Sequence, residues 1–222
     1  MRLELNSKYS KKAIALLLSF CACALLTARA ADTPIEPSGI YKEIDVRLAF
    51  DTVKALRETK GEKQMIVANA VIARPEAYSP PVLYILSSVL FEQGRKEDAI
   101  FWLYAAQLRG RIDANICADK SAAKIINAMN GRFSQPLSQY ASTNLALLSK
   151  MVDRVVAWEE KTPCNYDRRW INLHGGDAMT GNTNDSPLSA PLDQWEAIRT
   201  RTRDEFASEF HRRMDGATGT AH

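Results

Sequence analysis

Histidine is scarce in this chain, with three copies in 222 residues, and only four cysteines accompany them. His174, His211 and His222 stand apart from one another, and no His-Glu-x-x-His puts two imidazoles on one helix face, so the sequence names no metal site. There is no Gly-x-Ser-x-Gly elbow to expose a nucleophile and no glycine-rich phosphate loop ending in Lys-Ser or Lys-Thr. The chain is therefore expected to need no cofactor and to act without catalysis. Long apolar runs are lacking too. The longest, from Ala13 to Leu26, is shorter than the ~20 residues that cross a bilayer.

That run has the build of an export signal. Lys8, Lys11 and Lys12 precede it, and Ala28-Arg29-Ala30 supplies the small-x-small pattern of a cleavage site. Residues 1–30 are expected to be removed, leaving a mature chain from Ala31 in the periplasm or otherwise secreted. Cys21 and Cys23 lie within the removed segment, and Phe20 stands where lipidation would want a small or aliphatic residue. Processing also changes the charge. Arg2, Lys8, Lys11, Lys12 and Arg29 leave with Glu4, so 29 basic and 26 acidic residues become 24 and 25, and +3 becomes −1. Nucleic acid and anionic membrane then lose their electrostatic basis as partners, and no membrane insertion is expected after processing. Of the cysteines only Cys117 and Cys164 remain, and an even pair in an exported chain is expected to form one disulfide.

The remainder carries helical periodicity with almost no strand pattern, which predicts an all-α fold. Ile44, Leu48, Val53 and Leu56 share one face of a first helix that Gly61 breaks. A second spans Glu62 to Arg74. Pro80-Pro81 opens a third in a first turn that needs no N–H, and it runs through Glu92 to stop at Gly94. A fourth begins near Asp98 and is apolar nearly all round through Ile100, Trp102, Leu103 and Leu108. Asp119 is a candidate N-cap for a helix holding Ala123, Ile126 and Met129 that Asn130-Gly131 should end. Leu148, Met151, Val155 and Trp158 mark its partner. Leu192, Trp195, Ile198, Thr202, Phe206 and Phe210 stripe a last helix, with 215–222 expected as a disordered tail.

Between Pro80 and Arg111, the residues Leu83, Leu86, Ser87, Leu90, Ala99, Leu103 and Ala106 follow a large/large/small/large then small/large/small spacing, with Gly94 at the turn. This unit resembles a tetratricopeptide repeat, and the run Ala99, Trp102, Ala106, Gly110 is similar to its Sel-like variant. The neighbouring hairpins fit less well, since Lys54, Arg57 and Ile66 depart from the pattern. The resemblance implies stacked antiparallel helical hairpins over 41–214 behind a short extension at 31–40, with a C-terminal capping helix. It also implies protein binding on the face made by the first helix of each hairpin. Here that selects Tyr84, Ser88, Phe91 and Glu92, with Pro81 at the helix entrance. An envelope adaptor and an immunity protein that blocks a toxin both fit such a module, with another envelope protein or the toxin as partner.

The periodicity stops over 162–190, a long loop carrying Tyr166, Asp167, Trp170, His174 and Asp177 near Gly175-Gly176. Loops of this length are often functional, so these five side chains form an alternative site for a small ligand or an enzyme. The plainer reading is that Tyr166 and Trp170 pin the loop to the helices.

Overall fold

The computed structural model describes residues 37–141, 145–181 and 186–219, and the expected signal segment lies outside them. Among the described residues the fold is all-α. Eight helices occur: α1 Arg47–Glu58, α2 Gly61–Ala73, α3 Pro80–Glu92, α4 Lys96–Ile116, α5 Lys124–Ala141, α6 Leu145–Lys161, α7 Gly176–Thr180 and α8 Trp195–Gly219. Short 3-10 turns, including Gly39–Glu43, Pro75–Ala77 and Arg168–His174, join them.

The hairpin α3–α4 is the centre of the stack. Pro80 and Pro81 occupy the first two positions of α3, where the missing N–H groups would have had no helical partner. Gly94 closes the turn at φ +78°, a conformation that favours glycine. Leu83, Leu86, Leu90, Ala99, Leu103 and Ala106 are all buried between the two helices. Each leucine there contributes about 1.5–3 kcal/mol by leaving water. Small residues set the spacing on the other side too: a Cβ on Gly110 would stand 2.8 Å from Ile126 Cδ1, so α5 rests directly on the α4 backbone.

The first helix of one hairpin stacks on that of the next, α1 on α3 and α3 on α5. α5 and α6 each pack more broadly on α4 than on one another, so the third pair is splayed. α8 covers α4 and α6 as a capping helix. Its Ile198 and Thr202 are buried, as the stripe predicts, while Leu192 precedes the helix and is 75% exposed. Glu159 on α6 is fully buried and fastens the cap, accepting from Arg203 Nη1 at 2.9 Å and Arg199 Nη2 at 3.1 Å.

Two boundaries differ from expectation. Asn130-Gly131 does not end α5, which runs on to Ala141. Asn130 instead accepts a 2.6 Å hydrogen bond from Tyr84 Oη on α3, and Gly131 takes no positive φ. Asp119 caps the 3-10 turn Lys120–Ala123 that leads into α5, accepting from Ser121 N–H. At the other end, 215–219 belongs to α8 instead of a disordered tail.

The described residues at both ends of the 162–190 segment, 162–181 and 186–190, fold back on α4 and the residues just after it. An isolated antiparallel bridge pairs Cys117 with Ser189, and Ala190 N–H donates to the Ile116 carbonyl at 2.8 Å.

Candidate functional site

Helix α3 presents its residues in three different ways. Tyr84 is fully buried, its hydroxyl held by Asn130 and its ring 5.5 Å from Phe133, so it supports the stack and cannot meet a partner. Burial accordingly pushes its phenol well above the usual range. Phe91 is half-buried against the core, and Pro81 is half-buried in the first turn. Only Ser88 and Glu92 open onto a groove. With Leu56, Arg57, Lys60, Gln64, Ile85, Val89, Arg132 and Phe133 they line a cavity of about 270 Å³ between α1, α2, α3 and α5. Gln64 is buried at its floor and donates to the Leu56 carbonyl at 2.7 Å. Arg57, Lys60 and Arg132 are exposed at its rim, and none forms an ion pair among the described residues. Glu92 is the one acidic residue in the lining.

The 162–175 part of the loop is organised by one face of α4, where Arg109, Asp113 and Cys117 recur at helical spacing. Asp113 is buried, and its carboxylate accepts from Trp170 Nε1 at 2.8 Å, Tyr166 Oη at 2.9 Å and Arg168 Nη1 at 3.0 Å. Burial pushes its carboxyl up to about 6, and the Arg168 guanidinium with the two neutral donors restrains it from going higher. Arg109, also buried, donates to the carbonyls of Pro75, Thr162 and Pro163 and lies 4.3 Å from the centre of the Trp158 ring. Tyr166 and Trp170 thus pin the loop, as the plainer reading has it.

The other loop residues disperse. Asp167 starts the 3-10 turn by accepting from Arg169 N–H, and its second oxygen accepts from Asp45 N–H at 3.2 Å. Burial alone would raise its pKa, but the bonds from Arg169 carry it below the usual carboxylate value. His174 lies edge-on to Trp170 with ring centres 5.8 Å apart, and burial lowers its pKa, which keeps it neutral at pH 7. Asp177 is exposed in the first turn of α7, where its N–H donates to Asp119. Tyr166, Asp167 and Trp170 line one shared cavity, and His174 and Asp177 do not reach it.

The expected disulfide is absent. Cys117 and Cys164 are both free thiols, because the Cys117 Sγ is directed to Asn172 Oδ1, at 3.1 Å, within the small core of Trp170 and Ile171. Cys164 lies instead in a separate cavity with Arg168, Leu188 and Trp195. Burial raises the Cys117 thiol to about 11, which makes it inert at neutral pH.

Sequence reasoning missed the three groove cations and the Arg109/Asp113 pair. Arg57 was visible as a departure from the repeat pattern, and Arg109 and Asp113 as opposite charges four apart on one face of α4. Among the described residues no cluster of His, Cys, Asp and Glu is arranged to hold a metal, and no helix is long and apolar enough to cross a membrane. Compared with family models, curated proteins and solved structures, the chain matches none of them.

Proposed function

We propose that the protein is an exported, non-enzymatic binding module that captures an acidic segment of another protein in the groove between α1, α3 and α5. The observation that carries this reading is the rim of Arg57, Lys60 and Arg132, three cations without an ion pair among the described residues, around a partly apolar floor. Cations left unpaired beside one another repel, and a polyanionic segment relieves that repulsion while Ile85, Val89 and Phe133 offer apolar contact. Ser88 supplies a hydroxyl for the backbone of the bound segment. Glu92 restricts the choice, because a carboxylate brought against it is repelled. An envelope adaptor and a toxin-blocking immunity protein are the two roles such a module would suit, with an exported protein as partner.

The test is titration of the full chain with a glutamate-rich peptide and with its glutamine counterpart. The glutamate peptide should bind more tightly by about tenfold or more at low salt, and the difference should shrink as salt screens the rim. Arg57→Glu and Arg132→Glu should each weaken it, and Lys150→Glu, on the exposed side of α6, should not. Equal binding of both peptides would overturn the proposal.

A further inference from the structure

Ser79 stands just before α3, in the position where a serine normally caps a helix by accepting from the second or third N–H. Here the first two residues are Pro80 and Pro81, which have no N–H, and the N–H of Val82 already donates to the Ser79 carbonyl at 3.0 Å. The hydroxyl is left over. Ser79 is 4% exposed, and its buried hydroxyl oxygen has no hydrogen-bond partner, a costly state for a buried polar group. Ser79 also lines the cavity, about 320 Å³ in volume, that Tyr166, Asp167 and Trp170 share.

The remaining walls define what could fill it. Val46, Leu48, Ala49 and Ala77 are apolar, Leu48 is 53% exposed at the mouth, and Tyr166 and Trp170 are flat aromatic surfaces whose polar atoms are already bonded to Asp113. The two carboxylates are occupied as well. Asp45 takes Nε and Nη2 of Arg47 at 3.0 and 2.9 Å, and Asp167 takes Nε and Nη2 of Arg169 at 2.9 and 2.8 Å. Charge is therefore balanced at the rim, and the polar groups left for a guest are the Ser79 hydroxyl and the exposed Asn165 side chain.

We infer that this cavity is a binding site for a small uncharged aromatic molecule bearing one hydroxyl or amide group, whose ring lies among Trp170, Tyr166 and Ala49 and whose polar group bonds Ser79. A largely apolar pocket with few oriented polar groups is the usual form of a small-molecule site, and the volume suits one or two rings. The site goes beyond the acidic-segment groove, which lies at the other end of α1 around Leu56 to Lys60, so the two stand or fall separately.

The experiment uses the full chain with p-cresol as probe and cyclohexanol as the non-aromatic control. Saturation-transfer NMR should show p-cresol bound in the millimolar range and cyclohexanol at least about fivefold weaker. Ala49→Phe, which fills the cavity, should abolish transfer to p-cresol with the circular dichroism unchanged, and Arg57→Glu should leave it intact. Ser79→Ala should weaken p-cresol about three- to tenfold and, without ligand, raise Tm by about 2–4 °C by deleting the unbonded hydroxyl. Absence of transfer to p-cresol, transfer that survives Ala49→Phe, or a lowered Tm in Ser79→Ala would each overturn the assignment. The last result would mean an ordered water already serves the hydroxyl.

Discussion

Replacing Asp113 with leucine removes the acceptor on which the loop is assembled and leaves the α4 scaffold otherwise unchanged. Tyr166 Oη, Trp170 Nε1 and Arg168 Nη1 would all lose their partner, and the Arg168 side chain is only 6% exposed, so water cannot replace it. A buried donor left unbonded costs about 1–3 kcal/mol, so three cost roughly 3–9, and burying leucine returns about 1.5–3. The net loss is on the order of 2–6 kcal/mol, much of the stability a domain of this size has. Urea denaturation of wild type and variant at pH 7 measures it, and a drop in Tm of roughly 2–4 °C per kcal/mol should accompany it. Asp113→Asn should cost less than half as much. It imitates the protonated acid, which burial already favours, and keeps one acceptor oxygen for Tyr166 and Trp170. Limited proteolysis should cut Asp113→Leu between 162 and 175 before any other place. A leucine variant within about 1 kcal/mol of wild type, or no more damaging than the asparagine, would refute the reasoning.

The Asp113 carboxyl also sets a pH dependence. Its folded pKa, about 6, lies above the ordinary 3.8, so folding takes up a proton between these values and its contribution to stability falls as pH rises through roughly 4 to 6. Relative to Asp113→Asn, wild type should lose about 3 kcal/mol over that window in pH-dependent urea unfolding. Ala99 is fully buried where α3 and α4 touch, and Ala99→Leu should cost about 1–3 kcal/mol by overpacking in the same assay; a change under about 0.5 would contradict the hairpin contact. Both Cys117 and Cys164 should take up an alkylating reagent in the unfolded, unreduced protein, and intact mass showing neither modified would restore the disulfide.

The α3–α4 hairpin was legible because its signals are local. Leu83, Leu90, Ala99 and Ala106 fall at helical spacing, and Pro80 and Gly94 mark its ends. The end of α5 was not, since Asn130 is a stop signal only while its side chain is free to turn back on its own backbone. Tyr84, 46 residues away, claims that side chain. Tyr84 itself was misread for the reason that burial by α5 is invisible in the spacing of α3 alone. The disulfide expectation failed similarly: counting cysteines says nothing of direction, and Cys117 turns toward Asn172. At the candidate site, Ser88 and Glu92 followed from the repeat pattern, whereas the groove also needed Arg132, which lies beyond the Asn130-Gly131 stop at which α5 was expected to end.

Capture of an acidic segment depends on the positive charge of that groove, and exchanging the charge tests it directly. Arg57, Lys60 and Arg132 are all changed to glutamate in one variant of the full chain, with folding checked by circular dichroism and melting. Wild type and variant are then each titrated with a glutamate-rich and a lysine-rich peptide at low salt. Wild type should prefer the glutamate peptide by about tenfold or more and the variant should prefer the lysine peptide. Retention of the glutamate preference by the folded variant would place the binding surface elsewhere and contradict the proposed function.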